Sequence, residues 1–154
     1  MRFAIPKPLQ AEHAELHARL VKATKEPGAV GAAAREVARL LHPHFVAEED
    51  FALPPLALLA ALAGGAVTPD MAGVLPMTRR LKAELPKMLA EHKQIVGALE
   101  KLRAAAHAAA RAEYEDFAAA LVLHAQTEEQ VLYPAAILVG EYVERSLREA
   151  VANH

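Results

Sequence analysis

The sequence predicts an all-α protein, an up-down antiparallel four-helix bundle with a helical crossover between helices 2 and 3. Three observations carry that expectation. Of 154 residues, 36 are Ala and 21 are Leu, against 7 Gly and a single serine, Ser146, so helix formers dominate and strand formers are scarce. In four segments the apolar positions advance by alternating steps of three and four, the period of a helix with one buried face. Pro-Gly, Pro-Pro and Gly-Gly pairs punctuate the stretches between them.

The first segment runs from about Leu9 to Glu26 with the seam Leu9, His13, Leu16, Leu20, and breaks at Pro27-Gly28. The second begins near Ala29 and ends at Pro54-Pro55, with the seam Val37, Leu41, His44, Glu48, Phe51. Pro43 inside it removes a backbone hydrogen bond and is expected to kink the helix beside His44. A Pro/Gly-punctuated crossover follows, from about Leu53 to Arg80, with short helices of its own. The third segment has the seam Leu85, Met88, His92, Ile95, Leu99, Leu102 and fades into the Ala-rich stretch before Arg111. The fourth reads Tyr114, Phe117, Leu121, His124, Glu128, Val131 and meets Pro134, beyond which a short helix is expected. The length suits one domain spanning 1–154.

Composition narrows the function classes. Seventeen basic against nineteen acidic side chains give a net charge of −2, no footprint for nucleic acid or an anionic membrane. The absence of cysteine excludes disulfides, thiolate metal sites, iron–sulfur clusters and a cysteine nucleophile. Phe51 to Val67 carries no charge, but Pro54-Pro55 and Gly64-Gly65 interrupt it, and a spanning helix needs roughly 20 residues. This segment is expected to bury itself against the bundle or a second copy, which makes a homodimer an expectation. Met1 to Pro6 has no apolar stretch of signal-peptide length, so a cytoplasmic location is expected.

Short links make helices one and two, and three and four, antiparallel pairs. His13 lies 14 residues before Pro27 and His44 lies 16 after Gly28; His92 lies 18 before Ala110 and His124 lies 14 after it. All four histidines therefore belong near one level of the bundle. A repeat reinforces this: Ala11-Glu12-His13 recurs as Ala90-Glu91-His92, and His44-x3-Glu48-Glu49-x4-Pro54 recurs as His124-x3-Glu128-Glu129-x4-Pro134. The offsets are 79 and 80 residues, so the halves read as two copies of one hairpin related by a pseudo-two-fold axis.

His13, His44, Glu48, His92, His124 and Glu128 thus occupy seam positions where Leu or Val is routine. Buried charges are paired or coordinate metals, and no seam position in these helices holds a Lys or Arg. At ~100° per residue, positions i and i+4 differ by about 40°, so His-x3-Glu aims an imidazole and a carboxylate at one centre. Two such helices and one His from each partner helix allow a symmetric division: two histidines on each of two metal ions, with both glutamates bridging. Each ion then has four protein ligands and room for a small exogenous one. Imidazole and carboxylate without thiolate suit iron, manganese or zinc. A lone His-x3-Glu is weak evidence, because with 16 Glu in 154 residues chance supplies it at roughly one His in ten. Two copies, both on seams and both inside one repeated pattern, are strong evidence. Ferritin-like Glu-x-x-His and protease-like His-Glu-x-x-His are absent.

The ordered set His13, His44-x3-Glu48, His92, His124-x3-Glu128 resembles the hemerythrin-like, HHE cation-binding family, over about residues 9 to 134. The resemblance implies an up-down bundle around a non-haem di-iron centre with those six residues as ligands. It also implies handling of oxygen, nitric oxide, peroxide or iron. The chain departs from the oxygen-carrying pattern at Val96, where that pattern has His, and at His124-x4-Glu129, where it has His-x4-Asp. Four His with two Glu is similar to the subgroup linked to nitric oxide and iron–sulfur repair, without that subgroup's additional cysteine-bearing domain.

Three readings follow. One is a metal-binding protein that senses, buffers or scavenges oxygen, nitric oxide or iron, with a diatomic molecule or peroxide as its small ligand. Another is a di-iron oxidoreductase consuming peroxide or nitric oxide, and the third is a metal-free helical interaction bundle. A phosphotransfer module needs a solvent-facing His flanked by Lys and Gly, whereas His92-Lys93 lies on a seam. Among the other candidates, His17 is one turn beyond His13 and reads as a fifth ligand or a rim residue. His42, His107 and His154 read as solvated. Glu49 and Glu129, rotated ~100° from the seam glutamates, read as surface or supporting residues. Tyr133 reads as a core or rim residue or as a phenol gating the site.

Overall fold

The computed structural model describes residues 2–153, and among the described residues there is no strand. Helices α1 (Lys7–Thr24), α2 (Gly28–Ala47), α4 (Leu75–Ala108) and α5 (Ala112–Thr127) form the bundle, packed in the cyclic order α1, α2, α4, α5. The links at 25–27 and 109–111 are short, so each pair is an antiparallel hairpin. Between α2 and α4 the crossover winds through 3-10 turns, Pro54–Leu58 and Pro69–Val74, on either side of a short α3 (Leu59–Ala63). Beyond α5 the chain continues into α6 (Tyr133–Ala152). The four-helix architecture with a helical crossover is the one the sequence predicts.

Three boundaries differ from expectation, two of them at a proline. The second helical run ends just before Pro54-Pro55, as expected, whereas Pro134 does not stop its helix, which runs on into α6. The backbone before each widens into a π turn, Glu48–Ala52 and Glu128–Leu132, in which Leu53 and Tyr133 donate to the carbonyls of Glu48 and Glu128, five residues back. A proline clashes with the carbonyl four residues before it, and the wider turn relieves that clash. The third helix begins at Leu75, because Pro76 sits in the first turn, where no N–H is needed. The last helix is not short but has 20 residues. Pro43 and Pro86 lie inside α2 and α4, which run through them continuously.

The core has two halves separated by a polar layer. On the side of the interhelical links, Leu16, Leu41, Ile95, Leu99, Phe117 and Leu121 are packed together. On the other side, Phe51, Leu53, Leu56, Leu81, Met88 and Tyr133 form a second cluster. The crossover and α6 add a third, with Leu58, Met71, Val74, Val139 and Val143. The uncharged stretch accordingly divides. Phe51 to Leu58, apart from Ala57, is buried within the chain, whereas 59–67 is exposed or half-buried. The buried part is therefore not available to a second copy. Helix α6 crosses α4 closely: a Cβ on Gly140 would lie 2.1 Å from Thr78 Oγ1. Among the described residues no helix is long and apolar enough to cross a membrane.

Opposite the crossover, Glu26 of the first link accepts hydrogen bonds from Arg111 of the second (2.5 and 2.9 Å) and from the Tyr114 hydroxyl (2.7 Å). These bonds hold the Glu26 carboxyl below its ordinary 4.5. A group so depressed stabilises the fold above its unfolded-state value and loses that contribution as pH falls through the folded one. The melting temperature of Glu26→Gln is therefore expected to lie below the parent's at neutral pH, and the gap to close on acidification below about 4 in a thermal-melt series. A left-handed residue also lies at each turn: Gly28 (φ 67°), the first residue of α2, and Ala110 (φ 55°) in the second link. Open space surrounds the Cβ position of Gly28, so Gly28→Ala is expected to cost about 1 kcal/mol from backbone conformation alone. Ala110→Gly is expected to gain about 0.5 kcal/mol, read from denaturant midpoints at unchanged slope.

Candidate metal centre

The four histidines and two glutamates singled out by the repeat all point into the polar layer, and all are buried. They form two groups, His13, Glu48, His124, Glu128 and His44, Glu48, His92, Glu128, whose donor atoms lie within 4.8 Å of one another in each. His13 exchanges with His92, and His44 with His124, under the repeat, so the two groups are images of each other. Glu48 turns Oε1 to His44 Nε2 (2.9 Å) and Oε2 to His13 Nε2 (3.8 Å). Glu128 turns Oε1 to His92 Nε2 (3.3 Å) and Oε2 to His124 and His13 Nε2 (3.3 and 3.7 Å). Each carboxylate gives one oxygen to each group, the geometry of a bridge.

The charges are not compensated by the protein. Glu48 and Glu128 are 0% and 2% exposed. Both oxygens of Glu48 and Oε2 of Glu128 accept no hydrogen bond, even where an imidazole nitrogen is near. Across the layer, the Nε2 atoms of His44 and His92 lie 2.8 Å apart, and those of His13 and His124 lie 3.2 Å apart. Lone pairs and carboxylate oxygens converge on each group, and a bound cation is the partner such a donor set lacks.

Outer carboxylates set the ring orientation. His44 Nδ1 lies 3.3 Å from Glu91, His92 Nδ1 lies 2.9 Å from Glu129, and His124 Nδ1 contacts Glu12. The fourth contact, His13 Nδ1 to Glu49, is longer at 3.9 Å. In every case the carboxylate comes from the next helix, so the contacts close a ring from α1 to α2, α4, α5 and back to α1. An Nδ1–H donated outward leaves the Nε2 lone pair facing inward, the arrangement found around metal-ligating histidines. Burial alone lowers an imidazole pKa. In His44 the Glu48 and Glu91 carboxylates outweigh it and the net shift is upward. In His92 and His124 burial wins and the shift is downward.

Of the remaining candidates, His17 and His42 are exposed and line a groove of about 350 Å³ between α1 and α2; His17 joins neither group. His107 is exposed, and His154 lies outside the described residues. Glu49 and Glu129 serve the outer ring, within the supporting role foreseen for them. The parts played by Glu12 and Glu91 went unread, although each precedes a seam histidine inside the repeat. Tyr133 is fully buried, with its hydroxyl 3.2 Å from His44 Nε2 and 3.1 Å from His92 Nε2. Burial, reinforced by Glu48, Glu129 and Glu91, pushes this phenol above its usual range.

Replacing Glu48 by Gln keeps its volume and removes an unpaired buried charge. In the presence of chelator, Glu48→Gln is expected to be more stable than the parent by about 1 kcal/mol or more, measured by denaturant unfolding. A metal-free variant less stable than the metal-free parent contradicts this account of the layer.

Among families of known domains, the hemerythrin HHE cation binding domain matches residues 7–136, with a second, overlapping match over 84–152. No individual curated protein and no solved structure matches the chain.

Proposed function

The chain belongs to the hemerythrin HHE cation-binding family, and from that premise we propose that His13, His44, Glu48, His92, His124 and Glu128 hold two iron ions. In this reading the centre senses, buffers or scavenges oxygen, nitric oxide or iron. The observation that carries it is the pair of buried carboxylates, each dividing its oxygens between two histidine pairs with no Lys or Arg among its ion-pair partners. Donors of imidazole and carboxylate alone favour iron and admit manganese or zinc. A di-iron pair with a free coordination position supplies binding of, or electron exchange with, a diatomic molecule or peroxide.

Two hollows adjoin the donors: the groove of about 350 Å³ that reaches His13, and a far smaller one. A cavity of about 10 Å³ borders His44, His92, His124 and Glu128 and is walled by Leu41, Phe45, Ile95, Leu121 and Ala125. That is room for one water-sized molecule. The apolar wall offers no hydrogen-bond donor from those five side chains, so selection there is by size. Metal uptake also contributes folding free energy, because a buried donor set without its cation is a poor core.

Glu48→Gln and Glu128→Gln are expected to resemble each other, each leaving fewer than two irons per chain after iron supplementation. His44→Ala and His124→Ala should lower both iron content and the melting temperature of the loaded protein. Metal analysis beside an optical spectrum decides the point. If either Gln variant keeps two irons and the parent spectrum, that glutamate does not bridge.

A further inference from the structure

The repeat relates Tyr133 to Leu53, and this is a position at which the two halves of the centre differ in what they present to the donors. Tyr133 is placed there by the π turn. On a regular helix, a residue five positions after Glu128 lies ~140° away from it around the axis. The closure from Tyr133 N–H to Glu128 C=O widens that turn and returns position 133 to the inward face. Leu53 is turned inward in the same way but carries no donor, and it is fully buried in the second core cluster.

The Tyr133 oxygen lies 3.2 Å from His44 Nε2 and 3.1 Å from His92 Nε2, which are themselves 2.8 Å apart. Glu48 Oε1 adds a 2.9 Å edge to His44, and Glu128 Oε1 a 3.3 Å edge to His92. Neighbouring donors in an octahedral shell with ~2.1 Å bonds are ~3.0 Å apart, the bond length multiplied by the square root of two. The phenol oxygen and the two imidazole nitrogens form a triangle with edges of 2.8 to 3.2 Å, the face of such a shell, and the two carboxylate edges of 2.9 and 3.3 Å fall close to the same spacing. The His13 and His124 group has no counterpart to the phenol, and its donor-to-donor distances reach 3.8 Å.

We propose that Tyr133 is a fifth protein ligand to the ion held between His44 and His92, which makes the two halves of the centre chemically unequal. This rests on the di-iron reading above. When the bond from the phenol oxygen to the ion forms, the O–H bond breaks and its proton leaves to the buffer. The other ion has four protein ligands and is the more open of the two.

A ferric ion bonded to a phenolate has a visible ligand-to-metal charge-transfer band with resonance-enhanced ring vibrations, a readout independent of any activity. The protein is loaded with ferrous iron without air, oxidised with ferricyanide, and its iron per chain measured beside absorption and resonance Raman spectra. The parent, Tyr114→Phe and Tyr142→Phe are expected to show the band, and Tyr133→Phe to lose it while keeping two irons per chain. Because the parent spectrum is itself diagnostic, the test does not depend on the variant folding. Two irons in the parent with no phenolate band overturn the Tyr133 ligand alone. Fewer than two irons in the parent overturn the di-iron reading and this inference with it.

Discussion

Glu48 and Glu128 sit at the middle of an apolar bundle, 0% and 2% exposed, and among the described residues their ion-pair partners are histidines alone. A carboxylate in that position costs several kcal/mol unless something positive meets it. The surrounding structure answers this constraint. Four helices each contribute an imidazole at the same level, and the apolar core of the bundle divides into clusters on either side of the layer. The long α4 and the α5–α6 run extend past the layer, where the crossover closes that end. At the other end, the bonds of Glu26 to Arg111 and Tyr114 tie the two links together.

Orientation matters as much as position. A histidine on a helix seam is free to present either nitrogen, and the outer carboxylates remove that freedom for His44, His92 and His124. Because each carboxylate comes from the neighbouring helix, the same contacts that aim the rings also hold the helices in register. The fourth contact, from His13 to Glu49, is the loosest, and His13 is the imidazole that borders the open groove between α1 and α2. Its ring stacks on Phe45 at 4.4 Å, an apolar restraint where the polar one is weak.

The fold class and the six inward residues were legible because they rest on a period and a repeat, both of which are local properties of the chain. Comparable distances from the two turns place His13 with His44 and His92 with His124 from the sequence alone. What was not legible depended on departures from the ideal helix or on helix-to-helix register. Tyr133 faces the centre only because a π turn intervenes, and 100° arithmetic carries it elsewhere. Pro54 and Pro134, each two residues beyond a π turn, are the signal for those turns. Glu12 and Glu91 lie next to seam histidines, and it takes the packing of α5 against α1 and of α2 against α4 to show that each serves a different helix's imidazole. The uncharged stretch from Phe51 to Val67 was visible as apolar, but nothing in it foretold that burial stops at Leu58.

Each hairpin carries half of everything at the centre: two histidines, one shared glutamate and two outer carboxylates. Two identical copies of one hairpin, joined by nothing but packing, would assemble the same set. A homodimer of that kind is obliged to keep its halves alike, since any change in one is written into both. Joining the copies in one chain through the crossover lifts that obligation. Tyr133 opposite Leu53, Phe45 opposite Ala125 and His17 opposite Val96 are differences that only a fused gene is free to acquire, and two of the three touch the centre.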